Sequence, residues 1–128
     1  MRKVVLSRQA PAPLGIYSQG IVGEGRFVFV AGQGPINPGT GKVVPGGFRT
    51  QAERTFRNVE AILKAAGTSW KHAVKTNVYL ADLGDFPEMN RIYRRFVRKP
   101  YPARTTVQAG LMNILIEVDC VAIVPRRG

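Results

Sequence analysis

Three residues near the C-terminal end carry most of the chemical potential of this chain: Arg104, Glu117 and Asp119. Arg104 opens a β-branched run, Thr105-Thr106-Val107, and a second run follows from Ile114 to Val124 after a turn around Gly110 to Asn113. Two such runs joined by a short Gly-containing connection predict a hairpin. Side chains alternate across a strand. Ile114, Ile116, Val118, Cys120, Ala122 and Val124 therefore point one way, and Leu115, Glu117, Asp119, Val121 and Ile123 the other. Two carboxylates thus sit mid-strand, with an arginine at the head of the strand expected beside them. A guanidinium and a carboxylate at one end of a sheet could hold a small acid and place a water. The plainer account is a cross-strand ion pair on a solvated face, which contributes little.

Other chemistries lack their residues. A zinc site needs three or four N, S or O ligands. The chain has one His, at position 72, and one Cys, at position 120, with no carboxylate cluster to replace them. A Ser-His or Cys-His device would have to use His72, in Trp70-Lys71-His72-Ala73, where nothing nearby activates a nucleophile. Cys120 falls on the apolar face and reads as a small core hydrophobe. The glycines of the loop Gly34 to Gly47 are followed by no Gly-Lys-Ser/Thr, so no P-loop is present. An Arg, Glu, Tyr and backbone site remains, suited to an easy reaction on a small acid with no metal.

The elements that must position these residues follow from periodicity. Val4-Val5-Leu6, Ile21-Val22 and Arg26 to Ala31 read as strands, with a tight turn at Gly23-Glu24-Gly25. Asn37-Pro38-Gly39-Thr40-Gly41 reads as a turn between short extended pieces. From Phe48 to Ala66, apolar residues at 52, 56, 59, 62, 63 and 66 form a helical stripe closed by Gly67. Ala73 to Ala81 is a strand with Val74, Thr76, Val78 and Leu80 on one face. Asp85 and Glu88 have capping-box spacing before a second helix bearing Met89, Ile92, Tyr93 and Phe96. The order predicts an α+β fold, one mixed sheet with two helices on one face, over residues 1–128 as a single domain. Two helices cover only one sheet face, yet Phe27 to Val30 are apolar on both. The second face needs a cover, and a symmetric homo-oligomer is the economical one.

At 128 residues and 45% hydrophobic content the chain can bury a real core. No apolar run is long enough for a membrane span or a signal peptide, and a single cysteine fits a reducing compartment, so a cytoplasmic protein is expected. The net charge of +11 favours anionic partners or simple solubility. Its densest group, Arg91, Arg94, Arg95, Arg98 and Lys99, reads as a solvated helix face.

Six segments in order resemble the RidA/YjgF family over nearly the whole chain: Gly15 to Gly20, Ala31 to Pro35, Asn58-Val59 with Ala65-Ala66-Gly67, Val74 to Leu83, Asp85-Phe86 with Asn90 and Tyr93, and Pro102 to Val107 ending in Ile116-Glu117-Val118-Asp119. The resemblance implies a chorismate-mutase-like fold in a homotrimer whose sheets form a central barrel, with sites in the clefts between subunits. It implies deamination of reactive 2-imino acids, such as 2-iminobutanoate and 2-iminopropanoate, to 2-oxo acids and ammonia without a cofactor. Arg104 matches the residue that grips the substrate carboxylate, and Glu117 the one that orients the attacking water. Thr106 matches a position whose backbone faces the imine nitrogen. Tyr17 matches an aromatic that closes the pocket from a neighbouring subunit, Gly32 a point of close backbone approach, and Asn90 a further pocket residue.

Two departures bear on the site. Ile16 stands where the family usually has Pro, which predicts a looser Tyr17 loop, and Ala31 replaces a common Ser, removing a hydroxyl contact. Two other readings stay open. An RNA-binding or endoribonuclease role suits the charge but lacks the usual acid–base pair. A non-enzymatic protein could bind a small acid in the same cleft.

Overall fold

The computed structural model describes residues 1–126. Six strands and two helices follow in the order β1 (Arg2–Val5), β2 (Gly20–Gly23), β3 (Arg26–Gln33), α1 (Phe48–Ala65), β4 (Ala73–Leu80), α2 (Phe86–Phe96), β5 (Ala103–Gln108) and β6 (Ile116–Val124). The α+β class holds. β1 and β2, however, form a separate antiparallel ribbon beside a four-stranded mixed sheet of order β3-β6-β4-β5.

The pairing of β5 and β6 corrects the expected hairpin. β4 lies between them, parallel to β5 and antiparallel to β6, and residues 109–115 carry the chain across it. Composition says that both runs are strands but not which strand each prefers. β4 takes the central place because Thr76, Val78 and Leu80 are all fully buried on one face. The β5 residues Thr105, Val107 and Gln108 stay exposed, which suits an edge.

The helices cover one sheet face. Ala52, Phe56, Val59 and Leu63 of α1, with Met89, Ile92 and Tyr93 of α2, close over Val30, Val78, Leu80, Ile116, Val118 and Cys120. These helix residues recur at three and four positions, so the stripe read from the sequence becomes the packed face. Gly67, at φ +87°, terminates α1 in the left-handed conformation that glycine adopts without strain. The Asn37 turn also forms: its Oδ1 accepts from the backbone N–H groups of Gly39 (2.8 Å) and Thr40 (3.3 Å), and Ile36 bridges Val43.

Two local expectations change. The Asp85–Glu88 capping box does not form, because a 3₁₀ turn at Leu83–Asp85 precedes α2 and Asp82 caps it by accepting from Gly84 N. Glu88 pairs with Arg91 at 3.0 Å instead. Val74 does not share the Thr76 face. The β4–β6 register skips between Ala73 and Lys75, so Val74 is the extra residue of a bulge and its methyl turns toward Gly23 of the ribbon.

The face away from the helices is partly open. The ribbon reaches Ile123, which is 2% exposed, but Phe29 remains 76% exposed beside Phe27, and Val107 stays exposed at the opposite edge of the sheet. This is the uncovered apolar surface that two helices could not shield.

Burial in the core pushes the Cys120 thiol up to about 12. A raised folded-state pKa adds stability below the unfolded thiol value, near 9, and that part is lost as pH climbs toward 12. Cys120→Ala should therefore flatten the alkaline fall in urea-unfolding stability between those limits. An unchanged slope would exclude this origin.

Candidate active site

Arg104 lies on the helix-facing side of β5, opposite Thr76 of β4. Its Nη1 donates to Asn90 Oδ1 at 2.8 Å, and its Cζ stands 4.8 Å from the Tyr93 ring centroid and 5.6 Å from that of Phe86. No carboxylate pairs with it among the described residues. Burial lowers its pKa, against the opposing influence of Tyr93 and Tyr17. A half-buried guanidinium compensated only by ring faces and one amide keeps most of its five donors free for an incoming anion.

Tyr17, expected from a neighbouring subunit, stands near Arg104 within its own chain, where it opposes the burial that lowers the Arg104 pKa. Ser18 N donates to Pro102 O at 3.1 Å and the Ser18 hydroxyl donates to Tyr101 O, tying the loop to the approach to Arg104. Ile16 is 4% exposed and belongs to the core, so it anchors the loop where a looser one was expected. The isoleucine side chain offers more apolar surface to bury than the proline it replaces. Tyr17 Oη accepts from Leu14 N at 3.1 Å.

Thr106 shares the Arg104 face two residues on. Ala109 N donates to Leu80 O at 2.9 Å, which places the odd-numbered residues of β5 in the ladder with β4. The even-numbered ones, Thr106 among them, direct their backbone groups to the open edge. The Thr106 hydroxyl is itself buried without a partner.

Glu117 and Gly32 form a second cluster. Glu117 lies opposite Tyr79, on the face turned away from the helices. A Cβ at Gly32 would stand 2.2 Å from Glu117 Oε2, so only glycine lets the carboxylate lie over the β3 backbone. Gly32→Ala should displace that carboxylate with little loss of fold. The expected outcome is an activity drop of about tenfold or more with unfolding stability within about 1 kcal/mol, since the flexible side chain can shift. Equal activity in the alanine variant would show that the carboxylate's placement is immaterial.

The two carboxylates have different surroundings. Asp119 accepts from Asn77 Nδ2 at 2.8 Å and from the Tyr79 hydroxyl at 3.1 Å, and the latter bond raises the Tyr79 pKa. Glu117 has no hydrogen-bond partner among the described residues, and so keeps its oxygens available. Two polar residues of α1 hold the backbone around it. Gln51 Oε1 accepts from Leu115 N at 2.9 Å, and Asn58 Nδ2 donates to Gly34 O and Ile36 O at 3.0 and 2.9 Å. Residue type and spacing assign no site role to Gln51, Tyr79 or Phe86; a polar residue such as Gln51 beside an apolar helix stripe is the signal that the sequence offers.

Arg104 and Glu117 therefore occupy opposite faces of one sheet. Arg104 shares a cross-strand row with Thr76 and Cys120, Glu117 a row with Tyr79 and Val107. Two strands and three rows separate their backbones by about 14 Å. Arg104, Asn90, Tyr17 and Thr106 form one group, Glu117 and Gly32 another, and a single protomer does not bring them together.

Among the described residues no cluster of three or more His, Cys, Asp or Glu side chains could hold a metal, and no helix is long and apolar enough to cross a membrane. In the basic group of α2, Arg91 pairs with Glu88 and Arg95 with Glu53, so part of its charge is answered within the chain.

The fold and the Arg104 group define a small α+β protein with a half-buried arginine on an edge strand that no carboxylate pairs among the described residues. The chain belongs to the RidA/YjgF family: residues 7–124 match the family model described as Endoribonuclease L-PSP. It is 42% identical over 123 residues to a RutC family protein of Pyrococcus abyssi, covering 94% of this chain and 96% of that one. It is 38% identical to the 2-iminobutanoate/2-iminopropanoate deaminase of Rattus norvegicus, covering 96% and 90%. The structure of E. coli TdcF with bound serine superposes with a TM-score of 0.70 at 34% identity, covering 94% and 98%. The chorismate-mutase-like architecture is thus that of its relatives.

Proposed function

We propose that the protein is a cofactor-independent hydrolase of 2-imino acids, converting 2-iminobutanoate or 2-iminopropanoate to the 2-oxo acid and ammonia. The observation that carries this reading is Arg104, a half-buried fork with no carboxylate of its own chain against it. A planar guanidinium pairs bidentately with a carboxylate, which lysine does not reproduce. A relative from the rat carries the deaminase name, and another relative was solved with bound serine.

The reaction uses two copies of the chain. Arg104 of one copy, with Tyr17, Asn90 and the Thr106 backbone, fixes the substrate; Glu117 and Gly32 of the next supply the water. A homotrimer whose open sheet faces meet would bury Phe29 and bring the two groups together. The water oxygen bonds to the imine carbon as Glu117 takes one of the water's protons and hands it to the imine nitrogen, giving the carbinolamine. The carbinolamine hydroxyl then passes its proton to the nitrogen, the C=O bond forms as the C–N bond breaks, and ammonia departs with the C–N bonding pair. Imines hydrolyse readily in water, so orientation and modest acid–base help suffice. The single buried cysteine agrees with a reducing, cytoplasmic setting.

The test couples a threonine dehydratase, which generates 2-iminobutanoate, to this protein. Faster 2-oxobutanoate release than from the dehydratase alone is expected. Tight 2-oxobutanoate binding with no acceleration would mark a small-acid-binding protein instead.

A further inference from the structure

We propose that Tyr93 is a positioning residue that aims the Arg104 fork, its ring face standing where a counter-carboxylate would otherwise be. This rests on the reading of Arg104 as the carboxylate-binding group. Tyr93 is fully buried, and its hydroxyl shares a 2.8 Å hydrogen bond with the fully buried Thr76. Phe56 meets the ring edge-on, with centroids 5.9 Å apart at 71°. Tethered at its tip and packed at its side, the ring holds one plane. The Arg104 Cζ lies over that ring, 4.8 Å from its centroid.

The chemistry of compensation gives the arrangement its consequence. A carboxylate beside Arg104 would consume the in-plane N–H donors that a substrate carboxylate needs. A ring face attracts the cation through its quadrupole and takes none of them. Asn90 occupies Nη1 alone, leaving the other donors of the fork without a partner among the described residues. Compensation from the face is also incomplete, so an arriving anion still finds unneutralised charge in a partly desolvated place. Tyr93 thereby sets both the direction of the fork and its preference for a planar anion.

The experiment weakens the ring's potential while keeping its shape. Full-length protein is made with Tyr93→Phe and with mono-, di- and trifluorinated phenylalanine at position 93. Affinity for 2-oxobutanoate is read by calorimetry, and kcat and KM with dehydratase-generated 2-iminobutanoate. Kd and KM are expected to climb stepwise, by roughly three- to tenfold across the series, with kcat changing less than about twofold. Thr76→Val, which releases the tether without touching the ring, should move Kd the same way and decides the matter if a fluorinated protein fails to fold. A flat Kd across both sets, with Arg104→Ala unable to bind, overturns the role of Tyr93 alone. Parental binding by Arg104→Ala overturns the Arg104 reading and this inference together.

Discussion

Arg104→Ala is expected to lower kcat/KM for 2-iminobutanoate by about 100- to 1000-fold, the usual cost of truncating one partner of a desolvated charge pair. The fold should hardly notice. Arg104 is half-buried without a carboxylate of its own chain, so its removal strands no buried counter-charge. What is lost is one hydrogen bond to Asn90 and the stacking on Tyr93 and Phe86. Unfolding stability should stay within about 1 kcal/mol of the parent. Arg104→Lys separates charge from geometry, because an ammonium keeps the sign and loses the fork. It should recover only a small part of the rate. Steady-state kinetics with dehydratase-generated imine, alongside chemical denaturation, read both quantities. Near-parental kcat/KM in the alanine variant would refute substrate binding by Arg104.

Mixing two inactive variants is expected to restore activity. Arg104→Ala lacks the binding fork and Glu117→Gln the proton acceptor, and each alone should be nearly inert. Within a protomer the two residues lie on opposite sheet faces, in rows marked by Thr76 and Tyr79 respectively. A site that uses both must draw them from different copies. When the two variants are unfolded together and reassembled at equal concentration, about one interface in four pairs an intact Arg104 with an intact Glu117. Roughly a quarter of parental activity should return. A double variant carrying both changes on one chain, reassembled with parent, makes the reciprocal control. No recovery in mixed assemblies, verified as mixed by mass, would place the chemistry inside one protomer and remove the shared-site reading.

The positions of the helices were legible because a 3.6-residue apolar stripe has few alternatives. Phe56, Val59 and Leu63 are fully buried as the spacing required, and Gly67 ends α1 at positive φ. The faces of β6 were legible too, since alternation within one strand needs no knowledge of its neighbours. Glu117 and Asp119 share a face, and Cys120 turns into the core. The difference between the two carboxylates was not legible. Asp119 is engaged because Asn77 and Tyr79 lie within reach on β4, 42 and 40 residues away in sequence, and nothing local records that.

Residue type and period alone determined which segments are strands and helices, which side chains share a face, and that one sheet face lacks a cover. Tertiary structure decided the strand order. β4 enters between β5 and β6 because three of its side chains are buried more completely at the sheet centre than edge residues could be. That insertion, invisible to periodicity, moves Arg104 to the far edge and turns it toward α2, where Tyr93 and Asn90 receive it. Pairing depends on contacts between segments far apart in the chain, and their energies are settled only when the whole core closes.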